Sequence, residues 1–346
     1  MELEAMSDVI EVSYTGDLLA HRRCRRAWAY EKRAGFHPYE VVQAMEGRLV
    51  HHAMEWLTRQ HQETFARRRH ATEAELRAQL DHYYRVLWAR GIRTAFANKA
   101  DTIDRVVGNL YPNGRIDPVV RVVIEGAQHT EYELRAVKKV LPAKFSGKSR
   151  ILLTGILDLV IQQQHPLTYQ HTWAWKSVAD LCGHVAATTT TAAAGDVEIW
   201  DYKGTRAGNP FKDDYVRQLL TYAALYRDRT GALPVRCVLF FINEPRRDRR
   251  LLAIDVNEQI VDAALDWTYE QVRALRATAD TFETDPSAVP AGELARDAKP
   301  IGQRLSQETT AQCTACTFRF DCAEYTMHLP RGAANPDVTL GNVFKN

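Results

Sequence analysis

Val197-Glu-Ile-Trp-Asp201-Tyr-Lys203 is the stretch on which the fold turns. Its branched and aromatic residues favour a pleated, buried strand. Side chains two apart in a strand share a face, so Asp201 and Lys203 project together while Glu198 and Tyr202 project the other way. A second acidic strand lies upstream in Gly155-Ile-Leu-Asp158. Two carboxylates on rigid neighbouring strands suit a hard divalent cation, Mg2+ or Mn2+. A cation held there acidifies a bound water and stabilises a leaving oxygen, while the Lys203 ammonium orients the water or offsets developing charge. Asp158, Asp201 and Lys203 are therefore the candidate catalytic residues.

Outward from this pair, strand signals recur at 119–124, 131–140, 151–162, 235–243 and 251–256, which predicts a mixed sheet in an α/β protein. Helical periodicity covers 15–31, entered at Thr15 and carrying Cys24. It returns over 41–67, where Met45, Leu49, Ala53, Trp56 and Leu57 form one stripe and His51 falls in the middle. Residues 74–110 continue helically, with Leu76, Leu80, Tyr83, Tyr84, Leu87 and Trp88 as the inner face. Later helices are predicted over 213–229 and from an Asn257 cap to 278. The stretch ending in Ala186-Ala-Thr-Thr-Thr-Thr-Ala-Ala-Ala194 has no period and reads as a loop. The expected organisation is one domain over 1–346. It has a sheet core at 119–256, a flexible insertion at 163–196, a helical insert at 59–112, and a clasp formed by 1–35 and 301–328.

The clasp follows from cysteine spacing. Cys313, Cys316 and Cys322 form C-x2-C-x5-C, and Cys24 stands far upstream. Four thiolates are the usual complement of a 4Fe-4S cluster, whereas a compact zinc ribbon keeps its ligands closer in sequence. Cys237, inside an apolar run, reads as a buried hydrophobe.

Lys and Arg number 45 against 43 Asp and Glu, so a nucleic-acid surface has to come from local patches. Arg22-Arg23-Cys24-Arg25-Arg26 is one candidate for DNA contact and Arg67-Arg68-Arg69-His70 another. Tyr83, Tyr84, Trp88, Trp173 and Trp175 either stack bases or fill the core. Ser146-Gly-Lys-Ser149 imitates the end of a phosphate loop, but Pro142 stands where its first glycine is needed. No run of eighteen apolar residues and no basic, apolar leader occurs, so a cytoplasmic protein without membrane contact is expected.

Gly47-x3-His51, Gly155-x-x-Asp158, Asp201-Tyr-Lys203 and Gln218-x3-Tyr222, in that order, resemble the successive motifs of RecB-like PD-(D/E)XK nucleases. The resemblance implies a restriction-endonuclease-like mixed sheet flanked by helices. It implies a two-metal-ion deoxyribonuclease whose metal ligands are His51, Asp158, Asp201 and the Tyr202 carbonyl. Lys203 would be the catalytic lysine, and Gln218 and Tyr222 would contact substrate. The cysteine spacing resembles the iron-sulfur branch, which includes AddB, exonuclease V and CRISPR-associated adaptation nucleases. Expected substrates are single-stranded DNA or free ends, in repair, recombination or defence. The alternative is a DNA-binding subunit docked on a helicase or a CRISPR adaptation complex.

Overall fold

The computed structural model describes residues 9–36, 43–63, 69–92, 98–139, 150–170, 189–207, 212–289, 316 and 318. The chain divides into two compact units, residues 1–19 with 40–274, and residues 20–39 with 275–346.

In the larger unit a thirteen-residue strand, β3 (Arg150–Gln162), is the axis of a six-stranded mixed sheet. One edge of β3 pairs antiparallel with β2 (Ala127–Lys139), with a register shift between Ala127 and His129. The other edge is shared. β1 (Val9–Ser13) runs parallel to residues 150–154, and β6 (Val197–Lys203) runs antiparallel to residues 159–162. Residues 155–158 of β3 thus sit at a fork between β1 and β6. β7 (Arg236–Phe241) lies parallel to β6, and β8 (Leu251–Asp255) closes the sheet antiparallel to β7.

One face of this sheet, with Leu159, Ile161, Trp200, Tyr202, Val238 and Phe240, joins a core built from four helices. These are α3 (Gln43–Glu63), α4 (Glu73–Ala89), α5 (Lys99–Leu110) and α6 (Pro118–Gly126). Met45, Leu49, Val50, Ala53, Met54 and Leu57 are the buried stripe of α3. Such fully buried aliphatic side chains contribute roughly 1.5–3 kcal/mol each. On the opposite face lies α7 (Lys212–Thr230), where the Leu219 carbonyl accepts the Cys237 thiol at 3.7 Å. Burial pushes that thiol well above its ordinary pKa, as the apolar-run reading implies.

Three expectations change, and one strand is added. Residues 119–124 are not a strand but most of α6: Asp117 caps it by accepting the Val119 and Val120 N–H groups, and Pro118 sits in its first turn. A short run of Val and Ile fits either element by composition, and the cap decides. The 163–196 stretch is not a bare loop, because its described ends pair as β4 (Leu167–Gln170) and β5 (Thr189–Ala192). Threonine suits a pleated surface even in a low-complexity run. β1, over Val9–Ser13, is a further strand that the expected sheet did not include. The 15–31 helix is broken: a π-helical turn at Tyr14–Leu19 leads to α1 (Ala20–Arg23), and Cys24 caps α2 (Arg25–Lys32) by accepting the Ala27 N–H at 3.5 Å.

In the smaller unit α1 and α2 pack with the end of α8 (Glu258–Thr284), which Asn257 caps through the Ile260 N–H. Tyr30 meets Phe36, Phe282 and Phe318 edge-on. Arg26, expected to face DNA, instead donates to the Val289 carbonyl at 2.8 Å and the Ser287 carbonyl at 3.3 Å. Buried backbone oxygens need donors, and a guanidinium supplies several.

His21 is fully buried, 2.8 Å from Thr278 Oγ1 and edge-on to Trp28. Burial, aided by Arg25, lowers its pKa to about 4. The unfolded chain binds a proton near pH 6.5 that the folded chain refuses, so stability falls as pH drops from about 6.5 to about 4. The limit of the effect is roughly 3 kcal/mol. Urea melts at pH 7 and pH 4.5 should show this loss in the wild type and a smaller one in His21→Phe; equal losses would remove His21 as its source.

Candidate active site

The β3–β6 ladder reaches Leu159 opposite Trp200. The next position in that register sets Asp158 against Asp201, where the strands part at the fork. The two carboxylates arrive on the same face because directly opposed residues of an antiparallel pair share one. In place of a ladder bond, Asp158 Oδ2 accepts the Tyr202 N–H at 2.8 Å. Its Oδ1 stands 3.3 Å from His51 Nδ1, delivered by the middle of α3. Lys203 Nζ lies 2.5 Å from Asp201 Oδ2, 3.2 Å from Gln218 Oε1 and 4.4 Å from the Tyr215 ring centre. Gln218 in turn donates to Tyr222 Oη at 2.9 Å and Thr15 Oγ1 at 3.2 Å. His51, Asp158, Asp201, Tyr202, Lys203, Gln218 and Tyr222 therefore fall in one linked set.

Sequence reasoning missed the residues that hold this set in register. Asn243, buried just past β7, donates to Glu46 Oε1 at 2.8 Å and the Gly204 carbonyl at 2.7 Å, and accepts from Asn109. It ties the start of α3, the end of β6 and α5 together. Gly204 lies beside the start of α3, where a Cβ would make only an ordinary contact, 3.5 Å from the Gly47 Cα. Gly155 has no room for a side chain, since its Cβ would fall 2.5 Å from the Tyr222 ring. A polar residue ending an apolar strand was the one available signal for Asn243, and it carries no spacing.

The charges are balanced by neighbours. Burial would lower the His51 pKa, but the Asp158 carboxylate outweighs it and raises it to about 9. Burial, countered by Lys203 and reinforced by Asp158, lifts the Asp201 carboxyl to about 6. Burial opposes ionisation of Asp158 as well, yet His51 and Lys203 pull its pKa below the ordinary value. Lys203 loses to burial and gains more from Asp201 and Asp158, so its pKa rises.

Among the described residues no three His, Cys, Asp or Glu side chains form a metal-holding group. In this arrangement the Lys203 ammonium takes Asp201 Oδ2, and His51 takes one Asp158 oxygen. The donors nonetheless fit a divalent cation chemically. Two opposed carboxylates offer hard oxygen donors, and His51, which Asp158 holds protonated, would offer its imidazole nitrogen by giving up that proton to an arriving Mg2+ or Mn2+.

The sequence pattern of the PD-(D/E)XK nuclease superfamily matches residues 16–179 and 190–323. The chain belongs to that superfamily. The matched spans of this PD-(D/E)XK protein take in His51, Asp158, Asp201, Lys203, Gln218 and Tyr222, and also Cys24, Cys313, Cys316 and Cys322. Its structure is similar to the crystal structure of a protein from Eubacterium rectale provisionally assigned as an exonuclease, at 10% identity and a TM-score of 0.42. The similarity covers 85% of this chain and 90% of the other. No curated protein matches.

Of the remaining candidates, Cys24 and Cys316 are half-buried members of the smaller unit. Cys313, Cys322 and Cys182 lie outside the described residues, as do Trp173, Trp175, Arg67, Arg68 and Ser146 to Ser149. Arg69 pairs with Glu75, Tyr84 is buried, and Tyr83 stacks on His52 at 3.8 Å. Among the described residues no helix is long and apolar enough to cross a membrane.

Proposed function

We propose that the protein is a deoxyribonuclease that hydrolyses phosphodiester bonds at the β3–β6 fork. The observation that carries this reading is the opposition of Asp158 and Asp201 beside Lys203, where the sheet ladder ends. His51, Asp158, Asp201 and the Tyr202 carbonyl are the proposed ligands of Mg2+ or Mn2+. A divalent cation in that position, or a pair of them in the two-metal reading, supplies an acidified water and charge on the scissile phosphate.

The chain's own residues do the rest. Lys203 is half-buried and cationic, so it neutralises charge that grows on the phosphate oxygens with little solvent to reorganise. Gln218 holds that ammonium in place, and Tyr222 and Thr15 hold Gln218. Asp158 is pinned by a backbone N–H, which fixes its oxygens against the strand. Both Gln218 and Tyr222 are buried, so the arrangement supports them as residues that position Lys203, and their contact with substrate rests on the family likeness.

The proposed substrate is DNA, single-stranded or entered from a free end, and the proposed setting is cytoplasmic repair, recombination or defence. The helicase and CRISPR assemblies remain partners implied by family likeness. For the clasp, we propose that Cys24, Cys313, Cys316 and Cys322 hold a 4Fe-4S cluster. Support comes from their spacing, from the placing of Cys24 and Cys316 in one unit, and from the N–H bond that Cys24 receives, since hydrogen bonds to sulfur tune such clusters.

End-labelled single- and double-stranded DNA should be degraded by anaerobically purified protein with Mg2+ or Mn2+ and spared in EDTA. Intact substrate under all these conditions sinks the nuclease reading. Absence of visible sulfur-to-iron absorbance in the same preparation sinks the cluster.

A further inference from the structure

β6 and β7 are parallel, so both run out at the same end of the sheet, and Lys203 pairs with Phe241 there. The Ile242 N–H still donates to the Lys203 carbonyl at 3.0 Å. Two loops leave from this point, residues 204–207 and residues 242–250. Glu244 spans them. Its buried carboxylate accepts the Ala207 N–H through Oε2 at 3.1 Å and the Arg246 N–H through Oε1 at 3.2 Å. Asn243 adds a bond to the Gly204 carbonyl at 2.7 Å.

Each clamped amide adjoins an exposed arginine. Arg206 precedes Ala207, and Arg247 follows Arg246. Arg246 is matched by Asp248 at 2.9 Å, whereas among the described residues neither Arg206 nor Arg247 has a carboxylate within ion-pair distance. The Glu244 carboxylate, which joins the two loops, is committed to backbone N–H groups, so it fixes the backbone from which the arginines project. The result is positive charge on clamped backbone where β6 and β7 end, with Arg206 three residues past Lys203, beside a site that needs a polyanion delivered to it.

We propose that Arg206 and Arg247 form a phosphate-binding rim, set by the Glu244 clamp, that holds the backbone of a single-stranded nucleic acid leading to Lys203. This rests on the nuclease reading above and extends it to substrate binding. The rim reads charge and not sequence, because guanidinium contacts to phosphate carry no base information.

The test is fluorescence anisotropy of a 5′-labelled single-stranded oligonucleotide in EDTA, which measures binding without cleavage, across a salt series. In the Arg206→Ala/Arg247→Ala double variant the slope of log K against log salt should shrink by about 1.4, at roughly 0.7 per lost contact to a single strand. Arg206→Lys/Arg247→Lys should keep the slope, and Arg121→Ala, an exposed arginine on α6, should leave it unchanged. Glu244→Ala separates placement from net charge: the clamp predicts weaker binding, whereas a general charge effect predicts tighter binding, because a negative charge is lost. A wild-type slope in the double variant, or tighter binding by Glu244→Ala, overturns the rim. Normal rim behaviour in a protein that never cleaves DNA leaves the rim standing and overturns the nuclease instead.

Discussion

Asp201→Asn is expected to lower Mg2+-dependent DNA cleavage by on the order of 10³-fold, the scale on which a site loses a preorganised electrostatic group. The same substitution should leave the metal-free protein at least as stable. Asp201 is buried, and its carboxyl titrates near 6 because burial and Asp158 oppose its charge more than Lys203 favours it. An acid whose folded pKa exceeds its unfolded value near 3.8 makes the fold lose stability as pH rises from about 4 to about 6, and that loss persists at pH 7. A neutral amide of the same shape relieves it, and Lys203 retains Gln218 Oε1. Melting curves in EDTA at pH 7, run beside single-turnover cleavage, separate the two effects. Full activity in Asp201→Asn would remove it from the catalytic set; a fall of many degrees in Tm would make it a structural acid.

The second large effect lies on the other face of the same strand. Glu198→Ala should destabilise the protein by roughly 3–5 kcal/mol, the usual cost of breaking a buried ion pair by deleting one partner. Glu198 is fully buried. Its Oε2 accepts from Tyr169 Oη at 2.6 Å, Gln163 Nε2 at 2.7 Å and Trp200 Nε1 at 2.9 Å, while Oε1 meets Arg236 at 2.8 Å. Arg236 also bonds Thr190 Oγ1 and the Thr191 carbonyl, so this cluster seats the β4–β5 pair against the sheet. Deletion takes the acceptor from four donors at once, strands the Tyr169 hydroxyl and the Trp200 indole N–H, and leaves the exposed Asp255 as the carboxylate paired with Arg236. Glu198→Gln keeps an acceptor and should cost less. Urea melts give the loss as a lower Cm, and limited proteolysis between β4 and β5 reports release of the pair. A Cm within error of wild type for Glu198→Ala would refute this account.

Glu198 also marks where sequence reading stopped. Alternation correctly sends it away from Asp201, and a glutamate on that side has no reason, from spacing alone, to be the centre of a buried network. Trp200 is local, two residues on in the same strand, but Gln163, Tyr169 and Arg236 come from three other segments that no local period connects. Asn243 is the same case at the site: its bonds to Glu46 and Gly204 join residues far apart in the chain. Residues 119–124 failed for a different reason, since a cap and not a period settled the element.

By itself the sequence determined the alternating strand that puts Asp201 and Lys203 on one face, the helical stripe that buries α3 and carries His51, and the four-residue step from Gln218 to Tyr222. Those are consequences of backbone geometry within one element, where 2-residue and 3.6-residue periods hold regardless of surroundings. Only the tertiary structure decided that β3 divides its edge between β1 and β6, so that Asp158 meets Asp201 where the ladder ends. The same holds for the charge states, because burial and opposed carboxylates arise only when separate strands are brought together.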